Sequence, residues 1–115
     1  MKDIAQLTTD YFNAFSSKDK DQLKEMYAED FSLRDWLAEE TGREKVLDLN
    51  DQFFKAYPTF RLEVLHTYVD DNTSISEIEI LLTDHEEGFK RLLVVDVIEF
   101  SEEGKMSALR AYFGS

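Results

Sequence analysis

At 115 residues the chain has room for one domain, residues 1–115, with a real core, and too little for two. Hydrophobic residues make up 43%, and nine Phe, five Tyr and one Trp supply packing material that excludes a disordered chain. Thirteen Lys and Arg stand against 25 Asp and Glu, a net charge of −12, so nucleic acid and anionic membrane are excluded as partners by repulsion and the excess acid reads as a solvated surface.

The N-terminal "MKDIAQLTTDYF" lacks the apolar segment of a secretion signal. No run approaches the roughly 18 apolar residues of a membrane span. The expectation is a cytoplasmic protein. Ile4, Leu7, Tyr11 and Phe15 recur at helical spacing with Phe12 beside them, which predicts an amphipathic helix over 3–16. "SSKDKD" interrupts it, and Asp19 is placed to cap a second helix through about Ala28, with Leu23, Met26 and Tyr27 inward. Alternation in "FSLRDW" (31–36) predicts a short strand with Asp35 near its end. "TGRE" has the form of a capping box, Thr41 and Glu44 satisfying each other's backbone, at the start of a third helix that carries Val46, Leu49, Phe53 and Tyr57. That helix stops at Pro58.

Beyond Pro58 the period becomes two. "FRLEVLHTYV", "SISEIEILLT", "FKRLLVVDVIEF" and "KMSALRAYF" predict four strands of an antiparallel meander, joined by the turn formers "DDNT", "DHEEG" and "SEEG". Helices before strands predict an α+β domain with its helices on one face of the sheet. The third meander strand is apolar on both faces: Leu92, Val94, Ile98 and Phe100 on one, Leu93, Val95 and Val97 on the other. The second face needs its own cover, and a back-to-back homodimer is the simplest one.

Asp96 stands in the middle of that strand, flanked by Val94, Val95, Val97 and Ile98. An unpaired buried polar group costs on the order of 2–7 kcal/mol, so Asp96 has either a partner or a task. Desolvation there favours the neutral acid, which can donate a hydrogen bond. Tyr11, on the apolar stripe of the first helix, is a candidate second donor, and a pair of donors in a dry site stabilises enolate-like charge. Asp35, nearer a strand end and water, is the candidate base for a proton on carbon next to a carbonyl. Read singly, Tyr11 is a core residue, Asp35 a turn acid, and Asp96 a buried acid satisfied by Tyr11 or Arg110.

This layout, with "YFNAFSSKD", "MYAEDFSLRDW", "VVDVIEF" and "GKMSALRAYFG" in order, resembles the nuclear transport factor 2-like superfamily, which includes ketosteroid isomerases and SnoaL-type polyketide cyclases. The resemblance covers essentially the whole chain. It implies a curved antiparallel sheet wrapped around three helices into a cone, a pocket at one end, a small hydrophobic ligand or substrate, no cofactor and dimerisation through the sheet. Ketosteroid isomerases look closest by residue: Tyr11, Asp35 and Asp96, separated by 24 and 61 residues, take the places of their catalytic Tyr and two Asp. The division of labour between a neutral and an ionised carboxyl is the known logic of that enzyme. In the isomerases a proline follows the base, where Trp36 stands here, and a third-helix Tyr is matched by Asn50; Tyr27 matches a tyrosine of some members. Phe15, Tyr27, Phe31, Trp36, Asn50, Phe54, Val94 and Tyr112 are the residues expected to line the pocket.

Two other arrangements are weighed. Arg34 and Arg110, with two carboxylates and a water, are the ingredients of the superfamily's epoxide hydrolases, although at other positions. A binding protein with the same pocket and no turnover would hold Asp35 away or lock it on Arg34. With no cysteine, and with His66 and His85 on separate elements, neither a disulfide nor a transition-metal site is expected.

Overall fold

The computed structural model describes residues 3–84 and 88–114. Helices α1 (Ile4–Ser16) and α2 (Lys20–Met26) lead into strand β1 (Tyr27–Arg34) and a short β2 (Glu39–Thr41), and α3 (Arg43–Ala56) follows. Strands β3 (Phe60–Asp70), β4 (Thr73–Asp84), β5 (Gly88–Phe100) and β6 (Met106–Phe113) complete one curved, unclosed sheet of order β2-β1-β6-β5-β4-β3. The expected α+β cone of three helices on a meander is what forms. His85 and most of the "DHEEG" turn lie outside the described residues.

Local chemistry sets the helix starts. Asp3 accepts from the Gln6 backbone N–H at 3.2 Å and Asp19 from that of Gln22 at 3.1 Å, so both helices begin on a carboxylate cap. The expected capping box does not form. Thr41 is drawn into β2 opposite Ser32, and the cap falls to Gly42, at φ +109 with no side-chain hydrogen bond. Glycine tolerates that backbone at no steric cost, and its N–H closes the hairpin onto the Phe31 carbonyl at 2.8 Å.

The first strand begins earlier than its alternation suggests. Tyr27 leaves α2 in an extended conformation and pairs with Met106, since β1 runs parallel to β6. The sheet is therefore mixed, where an antiparallel one was expected. A parallel neighbour distant in sequence leaves no trace in local periodicity.

On β5 burial alternates strictly from Leu92 to Phe100, the even-numbered residues lying under the helices. Tyr11 and Phe12 of α1, Val46 and Phe54 of α3, Ile78 of β4 and Ile98 of β5 all belong to the single buried cluster. Phe15, Phe53, Phe54 and Phe60 close it at one side, with ring centroids 5.0 Å apart for Phe15–Phe54 and 5.2 Å for Phe53–Phe60. The buried stripe of α3 is Val46, Asn50 and Phe54, so the helix is rotated from the purely apolar face by one residue.

Candidate functional site

Between the concave face of the sheet and helices α1 and α3 lies a cavity of about 390 Å³. Tyr11, Asp35 and Asp96 all line it, together with Phe15, Trp36, Asn50 and Val94. Four of the eight expected lining residues are thus found there. The other four are elsewhere. Tyr27 and Phe31, stacked at 4.4 Å, and Phe54 are buried in the core behind the cavity wall. Tyr112 is half exposed and opposite Val95 on the convex face, because it lies one residue out of phase with Ala111. Its hydroxyl accepts from Arg34 at 3.0 Å.

Register explains how the two carboxyls meet. Asp96 of β5 pairs with Ala111 of β6, and Arg34 of β1 pairs with Arg110. Asp35 follows directly on the end of β1, one residue beyond that pair, and with Leu33 it lines the cavity. The α-carbons of Asp35 and Asp96 therefore lie two strand spacings apart, roughly 10 Å. The small side chain of Ala111, on the strand between them, also lines the cavity. Leu33, Leu109, Gln52 and Ala111 also line the cavity, unanticipated from the sequence. Counting by twos from Asp35 and Asp96 would have reached Leu33 and Val94; Ala111 needed the β5–β6 register.

The two carboxyls have opposite environments. Asp96 is 6% exposed, among Val94 and Ile98, and no hydrogen-bond donor to its carboxyl is found among the described residues. Burial, and next the charge of Asp35, push its pKa up to about 7. Asp35 sits half-buried where β1 turns into β2. Its Oδ1 accepts from the backbone N–H groups of Leu37 and Ala38, both at 2.7 Å, and its own N–H donates to the Ala38 carbonyl at 2.9 Å. Trp36 caps the mouth, stacked on Phe113 at 5.2 Å.

Tyr11 is buried, and its phenol is pushed well above its ordinary pKa by that burial, then by Tyr27 and Asp96. It stays protonated and able to donate. Its ring lies 6.4 Å from that of Tyr27. Burial also raises the Tyr27 phenol, against the hydrogen-bonding influence of Tyr11 and Asn50. The Tyr27 hydroxyl donates to Asn50 Oδ1 at 2.7 Å.

Neither arginine joins this site. Arg34 is turned to Tyr112, and Arg110 binds Glu99 at 2.5 Å on the convex face, so Asp96 is not its partner. Among the described residues no arginine lines the cavity, so the two carboxylates and the arginine of the hydrolase alternative do not come together there. Among the described residues no cluster of three or more His, Cys, Asp or Glu could hold a metal ion, and no helix is long and apolar enough to cross a membrane.

A candidate SnoaL-like polyketide cyclase from Shewanella denitrificans superposes with a TM-score of 0.87 at 13% identity, covering 96% of this chain and 90% of that one. An LEH-like epoxide hydrolase from M. tuberculosis gives 0.83 at 16% identity, over 96% and 82%. A candidate ketosteroid isomerase from Kribbella flavida gives 0.82 at 21% identity, over 97% and 78%. At these identities the likeness is one of fold, and it spans three different activities. None of the curated proteins matches the sequence. The model of the SnoaL-like domain matches residues 8–109, nearly the full length, and the chain belongs to that family.

Proposed function

We propose that the cavity takes a small hydrophobic carbonyl compound and enolises it, as an isomerase or a cyclase does. Asp35 removes a proton from the carbon next to the carbonyl, and the electron pair moves onto the carbonyl oxygen. Tyr11 and the protonated Asp96 donate hydrogen bonds to that oxygen. The enolate then either regains a proton at another carbon or closes on an electrophile within the same molecule. The observation that carries this reading is the convergence of a buried, donor-capable acid, a buried phenol and a half-buried carboxylate on one apolar cavity. With Asp96 pushed up to about 7, its donor form is lost above neutrality, so activity falls as pH rises through about 7.

Trp36, the one tryptophan, lines the cavity and serves as a fluorescent reporter of its occupancy. Naphthols of graded acidity mimic the enolate. The reading expects affinity to rise with naphthol acidity, to hold or improve in Asp35→Asn, and to fall about tenfold or more in Asp96→Ala. Affinities indifferent to Asp96 would sink it.

A second reading, ligand binding without turnover, draws on the commitment of Asp35 Oδ1 to two turn N–H groups. It expects no deuterium uptake from solvent at the α-carbon of a bound ketone, and the enolising reading expects uptake that Asp35→Asn abolishes.

The convex face supports a homodimer. Tyr68, Ile75 and Tyr112 are exposed there beside the half-buried Leu93, Val95 and Val97, and two of the nearby charges are neutralised by partners, Glu79 by Arg91 at 2.8 Å and Glu99 by Arg110. Val97→Asp should then yield a monomer in light scattering. An unchanged dimer would place the contact elsewhere.

A further inference from the structure

Asn50 is 5% exposed, lines the cavity, and has its amide oxygen occupied by the Tyr27 hydroxyl at 2.7 Å. A buried amide has three further hydrogen-bonding positions to satisfy, two of them N–H donors on Nδ2. Among the described residues nothing accepts from that nitrogen, and it is not sealed in the protein, so the cavity is where its donors are available. With the Tyr27 hydroxyl on Oδ1, the amide stands with Nδ2 turned away from Tyr27. A free side chain could turn either its oxygen or its nitrogen to a ligand, whereas this one offers the nitrogen.

We propose that Asn50 is a specificity-determining residue: its Nδ2 donates to a second acceptor oxygen of the ligand, remote from the oxygen at Asp96. The ligand class is thereby narrowed to carbonyl compounds that carry another carbonyl or ether oxygen, in preference to simple apolar ketones. This rests on the enolising reading for the placement of the first oxygen, but the polar subsite itself stands on Asn50, Tyr27 and the cavity. An empty apolar site would discriminate little between an ether and a hydrocarbon of equal size. A site with a buried donor rejects the hydrocarbon, since that donor is left unpaired.

The probes are 6-methoxy-2-naphthol and its apolar isostere 6-ethyl-2-naphthol, whose hydroxyls are of nearly equal acidity, titrated against Trp36 fluorescence. Wild type should favour the methoxy over the ethyl compound by about five- to tenfold, the worth of one buried hydrogen bond. Asn50→Asp keeps an oxygen for Tyr27 and replaces the donor with an acceptor, so it should abolish that preference and favour 6-hydroxymethyl-2-naphthol instead. Asn50→Ala, as a second variant, should flatten the series. Equal affinity of wild type for the methoxy and ethyl probes, a preference that survives Asn50→Asp, or no binding of the methoxy probe overturns the proposal. Failure of the enolising reading looks different: the acceptor preference remains and vanishes with Asn50, but the dependence on naphthol acidity and on Asp96 is missing.

Discussion

The floor and the mouth of the cavity each present one carboxyl, built by opposite means. Asp96 on the floor sits in a close-packed strand where every even-numbered neighbour from Leu92 to Phe100 is buried, and it has no donor among the described residues. Asp35 at the mouth is tied into a turn by two backbone N–H groups, beside Trp36 at 42% and Leu37 at 85% exposure. The floor holds its acid by packing and pushes it toward neutrality; the mouth holds its acid by hydrogen bonds in reach of water. One residue type placed in two surroundings becomes two reagents.

The comparison breaks most visibly through packing. Ile98 is fully buried two residues from Asp96, so Ile98→Ala should cost about 2–5 kcal/mol in urea unfolding, the range for an aliphatic side chain deleted from a core. A loss under about 1 kcal/mol would mean that the floor is not close-packed, and the dry environment assigned to Asp96 would go with it.

Asp96→Asn sharpens the same point with the opposite sign. The folded pKa of about 7 lies above the ordinary value of 3.8, so the native state binds the proton more tightly than the unfolded chain does. Stability from this group is complete below about pH 4 and is lost as pH rises through about 7. Asparagine has nearly the same shape and no charge to desolvate. The variant should match wild type near pH 4 and exceed it by about 4 kcal/mol near pH 9, from the size of the shift. Unfolding curves for both proteins across that range measure the difference, and a gap that stays constant with pH would remove the claim that Asp96 is forced neutral by burial.

Much of this was legible in the sequence for a physical reason. Asp96 declared itself because β5 is apolar on both faces, so a carboxyl in the middle of the strand has apolar neighbours whichever way it points. Helix α1 was equally plain, since Tyr11 shares a stripe with Ile4, Leu7 and Phe15. What local pattern could not carry was pairing between distant strands. Tyr27 was read as the end of a helix because its partner Met106 is 79 residues on, and Tyr112 was read as lining because only the β5–β6 register shows that Ala111 takes the inner position. Thr41 and Glu44 matched a capping box in spacing, but β2 claimed Thr41 first. Asn50 was found only through resemblance, since a polar residue on a helix carries no inward signal of its own.

A smaller effect separates the turn from the reaction. Asp35→Ala removes the acceptor of two 2.7 Å bonds and should cost about 1 kcal/mol, because the freed N–H groups of an exposed turn regain water. Asp35→Asn keeps an acceptor oxygen and should recover most of that loss. If stability returned in Asp35→Asn while deuterium uptake did not, the structural and chemical tasks of Asp35 would be distinct. If both variants lost several kcal/mol, the mouth would be part of the core, and its contrast with the floor would be false.

Leu37→Ser should change stability least, within about 0.5 kcal/mol, as a substitution at an exposed turn position does. Yet Leu37, exposed as it is, lines the cavity. A large apolar side chain left in water at a cavity mouth has nothing to gain from the empty fold and something to gain from an occupied one, because a ligand beneath it covers part of its surface. Partial burial of a leucine against a ligand corresponds to about a threefold change in affinity at roughly 25 cal/mol per Å². Leu37→Ser should therefore leave the unfolding curve in place and weaken 6-ethyl-2-naphthol about threefold in the Trp36 titration. Unchanged affinity would make Leu37 a bystander of the turn. A threefold loss at constant stability would show that the mouth, in contrast to the floor, holds its apolar surface in reserve for the ligand.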